Sequence, residues 1–85
     1  MAFSFHLKPK ARKNLDRLPE KDRIKVVAVL DIIVREPFAG KKLSGKRQGE
    51  YSVRVWPYRI IYTIDKNELL VVVVDVDHRG HIRNY

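Results

Sequence analysis

Leu69-Leu70-Val71-Val72-Val73-Val74 is six aliphatic residues in a row near the end of an 85-residue chain. A strand with one wet face alternates apolar and polar residues, whereas an unbroken apolar run needs cover on both faces. The run is therefore expected to form a central strand of a sheet. Asp65-Lys66-Asn67-Glu68, just before it, has turn composition.

Upstream lie two short alternating runs, Tyr51-Ser52-Val53-Arg54-Val55 and Tyr58-Arg59-Ile60-Ile61-Tyr62, separated by Trp56-Pro57. If that pair is a two-residue connection, Val55 faces Tyr58, Arg54 faces Arg59 and Val53 faces Ile60. Alternation then sends Tyr51, Val53, Val55, Ile60 and Tyr62 to one covered face, and leaves Ser52, Arg54, Trp56, Arg59 and Ile61 on the other. A register slipped by one residue would bury both arginines, at the cost of desolvating two charges. Like charges opposed across a hairpin are unfavourable unless something anionic lies over them. The pair therefore reads as the floor of an anion site, with an RNA phosphate as the candidate.

The first third of the chain changes period. Residues 2–7 alternate weakly through Phe3, Phe5 and Leu7 and predict a first strand. Pro9 suits a first helical turn, and Ala11, Leu15 and Leu18 recur at helical spacing, so residues 9–18 predict a short amphipathic helix. A second helix is expected over Glu20–Arg35. Glu20 and Asp22 suit its N-terminal end, Val27, Leu30 and Val34 form its stripe, and Asp31 to Arg35 has the spacing of an ion pair. Glu36-Pro37-Phe38-Ala39-Gly40 ends it, and a basic loop follows over residues 41–49. The period thus predicts a strand, two helices and then a sheet, in a single domain over residues 1–85.

Charge and composition limit what such a domain does. The net charge is +8. Residues 1–25 carry eight Lys or Arg against three acids, and residues 41–59 carry six against Glu50 alone. Clustered cations are the footprint of a polyanion binder. The chain has no cysteine, which removes disulfides and thiolate chemistry. No apolar run approaches the roughly 18 residues of a membrane span, so a cytoplasmic protein without membrane partners is expected. Asp75, Asp77, His78 and His81 lie close together, but the arginines around them oppose a cation, and neither a metal nor a cofactor is expected.

The order of a short strand, two helices, Lys42-Leu43-Ser44-Gly45, the tyrosine and arginine pattern of residues 51–62 and a terminal His78-Arg79 element resembles the RelE/ParE superfamily of toxins from type II toxin-antitoxin systems. The resemblance covers nearly the whole chain. It implies a RelE-like α+β fold, with two N-terminal helices packed on a small, mostly antiparallel sheet of about four strands, a cognate acidic antitoxin as partner, and contact with operator DNA only through that antitoxin. Arg79 and Tyr85, with Arg54 and Arg59, are similar to the pattern of the RelE-like branch. That branch implies a ribosome-dependent endoribonuclease acting on messenger RNA in the decoding site. The ParE-like branch implies a DNA gyrase inhibitor instead, and an attenuated homologue that only binds antitoxin is a further alternative.

On the nuclease reading, attack by a 2'-hydroxyl builds negative charge on a phosphorane, which guanidiniums stabilise. Arg59 and Arg79 are assigned that role, and Arg54 positions the backbone. Arginine cannot serve as base because its pKa stays above about 12. The resemblance implies a lysine at the position that is Ser52 here, so this chain departs from the pattern and proton transfer falls to Tyr85, His78, His81 or a loop lysine. Lys41, Lys42, Lys46 and Arg47, with Arg83, are expected to contact RNA phosphates, and Ser52, Trp56 and His81 complete the expected RNA surface.

Overall fold

The computed structural model describes residues 3–78. In chain order it contains β1 (Ser4–Leu7), α1 (Pro9–Asp16), α2 (Glu20–Arg35), β2 (Lys41–Lys42), β3 (Tyr51–Val55), β4 (Tyr58–Asp65) and β5 (Leu70–His78). The five strands form one sheet in the order β1-β5-β4-β3-β2. Neighbours are antiparallel except β1 and β5, which run parallel. The mostly antiparallel α+β fold is as expected. The extra strand, β2, is two residues inside the basic loop, too short to show any periodicity.

Pro9 opens α1, where a missing N–H costs nothing. Pro19 precedes α2, with Glu20 and Asp22 in its first turn and an Asp31–Arg35 pair at 2.6 Å on its surface. The buried side of α2 is Val26, Leu30, Ile33 and Val34. Val27, expected in that stripe, points outward at 47% exposure, because the helix lies on the sheet along the 26–30–33 line. These residues meet Ala11 and Leu15 of α1 and Val55, Tyr58, Ile60, Tyr62, Val71, Val73 and Val76 of the sheet. Full burial of each large aliphatic group contributes about 1.5–3 kcal/mol.

The aliphatic run behaves as its composition requires in one respect and not in another. β5 is interior, paired to β1 on one side and β4 on the other. Val71 and Val73 are wholly buried under the helices, but Val72 and Val74 are only half-buried on the opposite face. That face has no helix layer among the described residues.

Pairing of β4 with β5 is interrupted by a bulge. Tyr62 pairs with Val73 but Ile61 pairs with Asp75, so Val74 is the extra residue. Beside it, Asp75 is 4% exposed and turns to α1, accepting a hydrogen bond from Asn14 Nδ2 at 2.9 Å and pairing with Lys10 Nζ at 3.3 Å. This buried carboxylate fastens α1 to β5, and its hydrogen-bond partner offsets its desolvation.

Candidate functional site

The hairpin β3–β4 takes the register expected from its alternation, with Val55 opposite Tyr58, Arg54 opposite Arg59 and Val53 opposite Ile60. Its two-residue connection contains a cis Trp56–Pro57 peptide. Tyr51, Val53, Val55, Ile60 and Tyr62 belong to the helix-side core. Arg54 and Arg59 therefore share the outer face, Arg54 exposed and Arg59 half-buried. Arg59 in turn is the register partner of Asp77 on β5. Arg54, Arg59 and Asp77 make one row across three strands, in which a carboxylate offsets part of the guanidinium repulsion. Asp77 did not figure among the expected site residues.

The basic loop is tied to the same face. Leu43, 6% exposed, closes over Ile61 and Val74 in a small second apolar cluster. Gly45 and Gly49, at φ of 66° and 93°, take the left-handed turns that bring the chain back to β3. Lys41, Lys42 and Lys46 are exposed along this loop. Arg47 is partly committed, donating to Glu50 Oε1 at 2.8 Å. Lys41 lies opposite Ser52. Ser52 itself is 4% exposed, so its expected contact with RNA is corrected: as a middle-strand residue beside the Leu43 cluster it is covered by the protein.

At the tip of the hairpin, Trp56 is 57% exposed. Lys25 Nζ donates to the Trp56 carbonyl at 3.3 Å, and Tyr58 OH donates to Asp22 Oδ2 at 2.6 Å. Both bonds run from α2 to the tip, so the helix sets where the arginine row ends. The Asp22 carboxylate holds the Tyr58 proton and, with burial, raises the phenol above its ordinary value. His78 is the register partner of Tyr58, and its ring meets the tyrosine edge-on with centroids 5.9 Å apart. Alternation thus puts His78 on the helix side of the sheet, one residue and one face away from Asp77. The sequence grouped His78 with Arg54 and Arg59; the structure separates them. Arg79, His81, Arg83 and Tyr85 lie outside the described residues.

Among the described residues no cluster of three or more His, Cys, Asp or Glu is gathered for a metal ion, and no helix is long and apolar enough to cross a membrane. What the outer face can do is hold an anion over Arg54 and Arg59 with exposed lysines to one side.

Over residues 5–83 the chain matches the family described as ParE toxin of type II toxin-antitoxin system, parDE. The chain belongs to this family of toxins. Toxin RelG of Mycobacterium tuberculosis is 34% identical to it over 84 residues, spanning 96% of this chain and 97% of that one. The fold is similar to that in the toxin-antitoxin complex RelBE2 of the same organism, with a TM-score of 0.86 at 33% identity over 93% of this chain and 100% of that one. It is also similar to a chain of the intact Escherichia coli RelBE complex, with a TM-score of 0.80 over 91% of this chain and 96% of that one. At 18% identity that likeness speaks for the fold alone. The RelE/ParE resemblance read from the motifs is thereby established for this toxin.

Proposed function

We propose that this toxin is a ribosome-dependent endoribonuclease of translated messenger RNA, acting in the cytoplasm and held inactive by a cognate antitoxin. The observation that carries the reading is the Arg54–Arg59 pair, opposed across a hairpin on an outer face beside a basic loop. The names of its relatives, RelG and RelBE2, support it. The RelBE2 and RelBE structures are complexes with antitoxin, which supports the partner.

In this mechanism the 2'-oxygen attacks the adjacent phosphorus, the P–O5' bond breaks, and a 2',3'-cyclic phosphate and a 5'-hydroxyl result. Arg59 and Arg79 stabilise the charge that accumulates on the phosphorane, and Arg54 holds the neighbouring phosphate. The proton leaving the 2'-hydroxyl passes to one of Tyr85, His81 or a loop lysine and another of these groups delivers a proton to the departing 5'-oxygen, because His78 stands with Tyr58 on the other face. Trp56, half-exposed at the tip, stacks on a base. The ribosome supplies the RNA geometry that so small a protein does not enclose. No metal or cofactor takes part.

A second reading is favoured by two observations. The matching family is the ParE toxin family, and Ser52, the position for which the RelE-like resemblance implies a lysine, is buried here. On that reading the toxin inhibits DNA gyrase, or only binds antitoxin. Induced expression with primer-extension mapping of transcript ends, alongside plasmid supercoiling, separates them. Arg59→Ala is expected to lower cleavage about a hundredfold or more while the protein still folds. Intact transcripts with altered supercoiling would reject the nuclease reading, and unchanged cleavage in Arg59→Ala would reject the site.

A further inference from the structure

Arg59 faces Arg54 across the hairpin, and two like charges so placed drive each other apart unless a third group fixes one of them. An arginine side chain is long and rich in rotamers, and its planar fork grips a phosphate best when it already points at the anion. The row supplies a fixing group on one side only. On its β2 side Arg54 has no strand partner, because β2 meets β3 at Tyr51 and Ser52 alone. Arg54 is exposed and forms no ion pair among the described residues.

On the β5 side, Asp77 is the register partner of Arg59. Tyr58 and Ile60 flank Arg59 in the chain and Val76 precedes Asp77, and all three belong to the helix-side core. Alternation therefore sets Arg59 and Asp77 together on the outer face. Side chains directly opposite in an antiparallel pair have Cβ atoms about 4.5–5.5 Å apart, a gap that a carboxylate and a guanidinium readily span.

The Asp77 carboxylate is itself anchored. Its Oδ1 accepts the N–H of His78 at 2.8 Å, which restrains the side chain against its own strand. A carboxylate has two acceptor oxygens, so this bond does not prevent it from holding a guanidinium as well. Neighbouring acids are engaged elsewhere, Asp75 with Asn14 and Lys10, and Glu50 with Arg47. A carboxylate repels phosphate, so it adds nothing to the affinity of an anion-binding face. What it adds is direction.

We propose that Asp77 is a positioning residue for Arg59: anchored by the His78 N–H, its carboxylate holds the guanidinium as a preset fork, while Arg54 stays mobile and follows the backbone. The consequence for cleavage rests on the nuclease reading above; the hold on Arg59 does not.

The test compares Asp77→Asn and Asp77→Glu with the unaltered full-length toxin, each freed of antitoxin. Asparagine keeps the shape and an acceptor for the His78 N–H, so Asp77→Asn is expected to fold. The first readout is isotope-edited NMR of the Arg59 guanidinium, identified by the loss of its signals in Arg59→Lys. Rotation about the Nε–Cζ bond is expected to be slow in the unaltered chain and fast in Asp77→Asn. Equal rotation rates in the two overturn the proposal, whether or not the toxin cuts RNA. The second readout is cleavage of messenger RNA on ribosomes. In Asp77→Asn kcat is expected to fall about tenfold or more, with KM unchanged or lower because a charge that repels phosphate has gone. Asp77→Glu restores part of the lost kcat. An unchanged kcat in Asp77→Asn, or a deficit confined to a raised KM, overturns the proposal. If the unaltered toxin cuts no RNA, the nuclease reading fails, and the rotation rates alone decide whether Asp77 holds Arg59.

Discussion

Replacing Tyr62 with Phe removes one oxygen from the centre of the molecule. Tyr62 is 0% exposed, and its hydroxyl donates to the Pro37 carbonyl at 2.8 Å. That bond fixes the segment between α2 and the basic loop, where Gly40 leaves room for the hydroxyl that a Cβ would fill. In Tyr62→Phe the ring keeps its stacking on Tyr51, with centroids 5.5 Å apart and planes 15° from parallel, so little packing is lost. The Pro37 carbonyl, however, loses its donor inside the protein, which costs about 1–3 kcal/mol. For a domain of this size each kcal/mol lowers Tm by about 4–8 °C, so a fall of about 10 °C is expected. The pH dependence gives a second, independent reading. Burial pushes the Tyr62 phenol up from 10.0 to about 12. Between those values the folded chain holds a proton that the unfolded chain has released. The stability tied to that proton is complete below pH 10 and disappears as pH rises toward 12. Tyr58 is raised in the same direction, chiefly by its bond to Asp22, so Tyr62→Phe keeps only the Tyr58 part of the alkaline loss. Urea unfolding midpoints across the alkaline range, with phenolate absorbance on the same samples, measure both effects. A near-neutral loss below about 0.5 kcal/mol, less than any buried orphan carbonyl should cost, would refute the reasoning. An undiminished alkaline slope in the variant would refute it equally.

Tyr58→Phe and Asp22→Asn test the anchoring of the hairpin tip. A double-mutant cycle is expected to give a coupling of about 1 kcal/mol, because a bond to a carboxylate is strong but this one is only partly buried; additive effects would mean that α2 does not hold the tip. RNA binding should weaken steeply with salt, and Lys46→Ala should reduce the slope of log affinity against log salt by about 1; an unchanged slope in a filter-binding titration would remove Lys46 from the RNA surface.

Much of this fold is legible from side-chain period alone. Helical spacing through Ala11 and Leu15 and the length of the Glu20–Arg35 segment predict two helices, and both form. The alternation on either side of Trp56-Pro57 predicts the hairpin register, because any slip would bury two guanidiniums. Period says less about which helix residues turn inward. Val26 and Val27 are adjacent valines on one helix, and only the way α2 lies on the sheet buries the first and exposes the second. Burial of Ser52 was hidden for a similar reason: its cover comes from the tertiary neighbourhood of the Leu43 loop, which no local pattern announces.

The chain by itself determined the arginine pair. Arg54 and Arg59 stand opposite each other because a two-residue connection and a period of two permit nothing else. What lies beside the pair was decided by the tertiary structure. From the turn end of β4 and β5, where Asp65 meets Leu70 and Thr63 meets Val72, an unbroken ladder would bring Val76 opposite Arg59. The bulge at Val74 adds one residue to β5, so Arg59 meets Asp77 instead. The same shift leaves Val76 packed under the helices, sets His78 against Tyr58 and turns Asp75 to α1. Bulges answer to the fit of helices and strands around a whole sheet, and six consecutive aliphatic residues carry no mark of where the ladder will break.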